Sequence, residues 1–244
     1  MLKRISKTKH KCRQAFTLVE LIVVLVVLAI LAAILVPALT GYIKRTNREK
    51  YFENAYSARV ASQAVMTELY GLGSDYEPYL TSDKNNINWC DKDSDGNSPN
   101  KDPASKAWGD KVLDLMGRGR GKDEKEPFIF VFGVGNSDKD AGMSLDQQHT
   151  VYYIAYVEDE NAPAVFYVNG EWFYKYPRNK NNKGKIIATS PINAKFRNTI
   201  VMNNAHIPLQ FYVVSNRTGL KDTDFWTGSN KNTLLSHCDK KYCD

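Results

Sequence analysis

Asp91-x-Asp93-x-Asp95-Gly96-Asn97 puts oxygen-bearing side chains at alternate positions, with a glycine where a chain must turn sharply. That is the donor chemistry of a hard-cation loop, in which about six to eight oxygens surround Ca2+. Asp102 stands at the twelfth position, where such loops close with a carboxylate. Pro99 at the ninth position and the lack of a helical pattern before Asp91 work against the reading. The competing reading is a solvated acidic turn whose Asp102 caps the next helix. If the loop takes an ion, that ion is calcium, and Asp91, Asp93, Asp95, Asn97 and Asp102 are its ligands.

The thiols come next. Cys90 could pair with Cys238 or Cys243 and close a very long loop, worth about 4–5 kcal/mol in the chain-entropy model. Cys238 with Cys243 would close a small one, and both pairings stay open. A disulfide presupposes an oxidising compartment. Zinc held by the three thiolates and His237 is the rival, and it is disfavoured against one disulfide with a spare thiol.

Enzyme chemistry finds no foothold. The run Gly117 to Lys122 (GRGRGK) has the wrong spacing for a phosphate loop, and Asp123 stands where Ser or Thr is required. There is no Gly-x-Ser-x-Gly and no His-Glu-x-x-His, and His10, His149, His206 and His237 have no nucleophile partner in sequence. A non-enzymatic protein is expected.

Charge is concentrated at one end. The formal net charge is +6, and residues 1–15 alone carry Lys3, Arg4, Lys7, Lys9, Lys11 and Arg13 with no acid. The rest of the chain balances, so nucleic-acid binding is not inferred from the basic excess. The basic run at 178–185 reads as a solvated hairpin loop.

Glu20 lies inside residues 16–36, where Thr17 is the only other residue that is not apolar. As a helix this segment is about 31 Å long, a bilayer's hydrocarbon thickness. It has no polar stripe, so it does not suit a soluble core. It is also long for a removable signal and lacks a small-x-small site after it. The basic head holds the preceding side in the cytoplasm, while Lys44, Arg45, Arg48 and Lys50 argue weakly the other way. A carboxylate within such a helix costs about 3 kcal/mol at its centre and less near an end. Glu20 is therefore either a snorkelling boundary acid or one awaiting a positive partner. A cut before Phe16 would create an amine four residues away. On a neighbouring copy that amine would be such a partner, in a medium where the attraction is strong.

Ala15-Phe16-Thr17-Leu18-Val19-Glu20-Leu21, behind a basic leader and before a long apolar helix, resembles the processing signature of type IV pilins and type II secretion pseudopilins. The resemblance implies cleavage between Ala15 and Phe16 by a prepilin peptidase, N-methylation of Phe16, and an assembly role for Glu20 at the fifth mature position. Pro37 falls where many family members carry proline. Ala15 departs from the family's usual glycine before the cut. Cys12 would leave with the leader.

These residues need a frame. Residues 38–70 continue the helix, with Phe52, Ala55, Tyr56, Met66 and Leu69 on one arc that Arg59 and Gln63 interrupt, and Gly71 and Gly73 as the stop. Pro37 should kink or locally open the helix. Strands are expected over 128–134, 150–158, 164–169, 171–176, 185–189 and 209–215, with Asn169-Gly170 as a hairpin turn. Asp102-Pro103 opens a short helix with Trp108, Val112 and Leu115 on its apolar face, ended by Gly117. The fold class expected is α+β, with an antiparallel sheet as outer domain. The family resemblance adds that the long helix packs on that sheet and that its first half spans the membrane. The chain divides into a leader (1–15), a membrane or filament-core helix (16–37), its amphipathic continuation (38–70) and the outer domain (71–244).

The function this implies is a prepilin that becomes a structural subunit, minor or adhesive, of a type IV pilus-like filament. The alternatives are a pseudopilin of a type II secretion or DNA-uptake system, or a membrane-tethered binding protein that never polymerises. The implied partners are further copies of the chain, other pilins, the prepilin peptidase, an assembly platform protein in the membrane, and membrane lipid before assembly. The implied location is the cytoplasmic membrane as a single pass with a cytoplasmic N-terminus, then a cell-surface filament.

Overall fold

The computed structural model describes residues 17–72, 87–90, 103–119, 126–174, 186–188, 199–202 and 205–217. The chain divides into two compact units, Met1–Arg48 and Glu49–Asp244. It is α+β. Helix α1 is Leu18–Leu72 and α2 is Pro103–Leu115. A one-turn helix, α3, covers Leu145–Gln148. The strands are β1 (Ile87–Trp89), β2 (Ile129–Gly135), β3 (Val151–Val157), β4 (Val165–Val168), β5 (Glu171–Phe173), β6 (Ile186–Ala188), β7 (Thr199–Met202) and β8 (Ala205–Asn216).

Among the described residues these strands form one eight-stranded sheet, ordered β5-β4-β3-β2-β8-β7-β6, with β1 also on β8. Every pairing along that order is antiparallel; β1 runs parallel to β8, Ile87 opposite Phe211. Strands β1 and β7 are additions to the sequence expectation. Each is three or four residues long and bordered by polar residues, too short to show a period. What defines them is the twelve-residue β8, whose edge away from β2 has room for both.

Local signals explain the sharpest features. Asn169 and Gly170 have φ of 41° and 100°, the double positive φ of a type I′ turn, and they join β4 to β5 with Val168 opposite Glu171. Pro103 opens α2, where its missing N–H costs nothing. Gly117, with φ of 68°, ends it. The Gly117 N–H donates to the Asp114 carbonyl at 2.9 Å and the Arg118 N–H to that of Leu113 at 2.9 Å, a Schellman closure.

The strands read IFVFGVG, VYYIAYV and VFYV, nearly continuous apolar runs, as expected for strands covered on both faces. One face buries Ile129, Val131, Tyr153, Phe166, Phe211 and Val213. The other buries Phe130, Phe132, Ile154, Tyr156, Tyr212 and Val214 together with Ala55, Ala58, Ala61, Val65, Met66 and Leu69 of α1. The small side chains at 55, 58 and 61 let the helix backbone approach the sheet closely.

That face differs from the sequence expectation. Ala58, Ala61, Ser62 and Val65 form its centre, whereas Tyr56 is 49% exposed and flanks it, its ring centroid 6.2 Å from that of Trp172. The two interrupting polar residues are used rather than tolerated. The Arg59 guanidinium stacks over the Tyr167 ring at 4.4 Å. Gln63 accepts from the Val151 N–H at 2.9 Å and donates to the His149 carbonyl at 3.0 Å, pinning the start of β3 to α1.

Gly135 ends β2 against α3. A Cβ there would run into the Gln147 carbonyl oxygen and the Met143 side chain. Backbone cannot yield as a rotamer can, so Gly135→Ala should cost about 1–3 kcal/mol in chemical denaturation of the full chain, with the denaturant dependence unchanged.

Candidate functional site

Helix α1 begins with a reciprocal cap. Thr17 Oγ1 accepts from the Glu20 N–H at 3.2 Å, while Glu20 Oε2 accepts from the Thr17 N–H at 2.8 Å and from Thr17 Oγ1 at 2.7 Å. This is a capping box, in which two orphan donors of the first turn are satisfied. Its signal in the sequence, beyond the features set out above, is Thr-x-x-Glu ahead of an apolar run. The cap supplies Glu20 with hydrogen-bond partners from its own helix. That lowers the cost of placing a carboxylate at the mouth of an apolar segment.

Beyond Glu20, residues 21–43 carry no charge and would extend about 35 Å as helix. The large side chains stand open along that length, Ile34 at 68% and Val36 at 59% exposed, for example. The segment is long and apolar enough to cross a membrane, and none of its most apolar stretch is buried within the chain. Burying such side chains is worth about 1.5–3 kcal/mol each, so this surface requires lipid or other apolar helices. Pro37 lies inside α1, which continues through it. Thr40 Oγ1 donates to the Val36 carbonyl at 2.8 Å and Thr46 Oγ1 to that of Tyr42 at 3.1 Å, so both hydroxyls are satisfied within the helix.

The larger unit holds a part-buried polar cluster that the sequence did not suggest. Glu158, just after β3, receives one Arg118 guanidinium nitrogen on both oxygens at 2.9 and 3.0 Å. Its Oε2 also accepts from the Tyr156 hydroxyl at 2.7 Å and from Asn54 Nδ2 at 2.9 Å. The ion-paired side chains are only 14% and 10% exposed. Burial pushes the Glu158 carboxyl up, but the hydrogen bonds from Tyr156, Arg118 and Asn54, with Arg118's charge, outweigh it and hold the group below its ordinary value. Burial first, and Glu158's charge second, keep the Tyr156 phenol protonated far above its usual range. The cluster ties α1, the loop after α2 and the sheet together. Its chemistry is that of a clamp.

The remaining candidates fall as follows. Ala15 and Phe16 lie outside the described residues, as do Asp91, Asp93, Asp95, Asn97, Asp102, Cys238 and Cys243. Cys90 is buried beside β1, its N–H donating to the Val213 carbonyl at 2.9 Å. Among the described residues no group of three or more His, Cys, Asp or Glu side chains is arranged to hold a metal. A second alternating run, Asn136-x-Asp138-x-Asp140, is described. There the Asn136 and Asp138 side-chain oxygens accept from the backbone N–H groups of Asp138 and Asp140 at 2.8 and 2.9 Å. Those two oxygens serve turns. His149 is buried, with Nδ1 2.8 Å from the Leu145 carbonyl oxygen and its ring edge-on to Tyr70 at 5.7 Å.

Comparison with known families matches residues 10–36 to the prokaryotic N-terminal methylation motif. That motif is the signature of the type IV pilin and pseudopilin prepilin-type segment. Neither the curated proteins nor the solved structures yield a match to the chain.

Proposed function

We propose, from a chain whose residues 10–36 are an N-terminal methylation motif, that this protein is a prepilin and becomes a structural, non-enzymatic subunit of a type IV pilus-like filament. A prepilin peptidase hydrolyses the Ala15–Phe16 bond, and the freed Phe16 amine is methylated. The subunit waits in the cytoplasmic membrane as a single pass and is then drawn by the assembly platform into a helical fibre at the cell surface. The observation that carries this reading is a methylation motif that runs directly into an uncharged, unburied helical surface. In the fibre, copies of α1 bury that surface against one another. Glu20 of an entering subunit meets the Phe16 amine of a neighbour and sets the axial register. The size of the segment after α1 favours a pilus subunit, minor or adhesive, over a pseudopilin.

The mass of the protein recovered from membranes tests the reading. Loss of residues 1–15 together with the gain of one methyl group is expected. A chain still starting at Met1, or one trimmed beyond Val36, would overturn it.

A further inference from the structure

We propose that the helical turns closing the apolar segment, residues 42–48, bind the headgroups of anionic phospholipids in the leaflet farther from the leader. The inference rests on the membrane reading of α1 and names the lipid class it contacts.

Three observations converge. The uncharged stretch ends at Ile43 after about 35 Å, slightly more than a hydrocarbon core of about 30 Å. With Glu20 at the near interface, Lys44 therefore emerges at the opposite headgroups. Lys44, Arg45 and Arg48 then fall within an arc of about 100° on one side of α1, with Gly41 inside the same arc. Open space surrounds the position a Gly41 Cβ would take, so a headgroup can come close to the helix below the cations. Tyr42 is 69% exposed, an amphipathic ring at the level where such rings anchor helices. Glu49 and Glu53 are the acids on this stretch, against Lys44, Arg45, Arg48 and Lys50, so positive charge stays in excess.

The ligand chemistry is a phosphodiester that keeps its negative charge. A guanidinium meets it with two parallel N–H donors, and an ammonium as a point charge. A zwitterionic lipid carries its own cation and competes poorly. Removal of the leader takes six positive charges from the other side of the membrane. The mature chain then keeps its flanking basic side chains at the far leaflet, with only the Phe16 amine on the near side, and anionic lipid holds the helix at depth until assembly pulls it free.

The test uses the full chain in phosphatidylcholine vesicles doped with spin-labelled phosphatidylglycerol or spin-labelled phosphatidylcholine. The fraction of each label immobilised beside the protein is read by electron paramagnetic resonance. The leader is common to all variants, so differences between them report the far side. Lys44→Gln/Arg45→Gln/Arg48→Gln should lose about threefold in preference for phosphatidylglycerol. Lys44→Arg/Arg45→Lys/Arg48→Lys should retain the preference, and molar salt should erase the gap between wild type and the Gln variant. Equal preference in wild type and the Gln variant, with both resistant to carbonate extraction, would overturn the lipid site and leave the membrane reading standing. Release of the wild-type chain by carbonate would overturn both.

Discussion

Glu20→Ala should leave the protein in the membrane while the yield of sheared filaments falls by more than about tenfold, equivalent to about 1.4 kcal/mol or more per assembly step. The two effects separate because they draw on different energies. Membrane residence depends on the apolar surface of residues 21–43, which the substitution does not touch. Removing a carboxylate from an apolar helix even relieves an insertion cost of up to about 3 kcal/mol. On the proposed mechanism assembly instead needs an ion pair in a dry fibre core, where an attraction of a few kcal/mol is available and an unpaired amine is penalised. The capping box adds a second role, worth about 1 kcal/mol at the start of α1. Glu20→Gln distinguishes the two, since glutamine can close the same box without charge. If charge pairing governs, Gln assembles as poorly as Ala; restored filaments in the Gln variant would assign Glu20 to the cap. Normal yield from Glu20→Ala, with carbonate-resistant membrane protein, would sink the pairing mechanism.

Arg118→Ala should cost about 3–5 kcal/mol in the larger unit and lower its midpoint of thermal unfolding by about 10 °C, followed by circular dichroism of the full chain in detergent. The loss comes less from a broken bridge than from Glu158 left charged and only 10% exposed. Replacing both partners, as in Arg118→Met/Glu158→Leu, should recover part of the stability, since no buried charge then stands alone. A loss below about 1 kcal/mol in the single variant would show that the clamp is solvated and the geometry unimportant.

The same cluster sets a pH dependence. The Glu158 carboxyl titrates below its unfolded value, so its stabilisation is complete above about pH 4.3 and is lost as pH falls through the folded value. Tyr156, and with it Tyr51 of α1, which feels the charges of Asp159 and Glu158, behaves in the opposite sense. Their phenols are raised, by burial foremost, so their contribution is complete below about pH 10 and fades as pH climbs above it. Stability should therefore fall at both extremes, and Arg118→Ala should flatten the acid limb, since Glu158 then no longer titrates so far below its unfolded value.

Much of this protein is legible residue by residue. An uncharged run of membrane length, a Thr-x-x-Glu cap, a proline at the start of α2, a glycine at its end and an Asn-Gly turn all act within a few neighbours. Sterics and backbone hydrogen bonding decide them whatever the rest of the chain does. The hairpin and α2 appear where those signals place them. Other features required the chain to close on itself. Asn54 and Glu158 are 104 residues apart and Arg118 and Glu158 are 40 apart, and no spacing rule joins them. Strands β1 and β7 become strands through the edge that β8 offers. The buried stripe of α1 lies on its alanines and leaves Tyr56 at the flank, because a sheet already crowded with Phe and Tyr accepts small side chains at closest approach. Local chemistry decided which segments become helix or turn; the fit between distant surfaces decided which side chains meet.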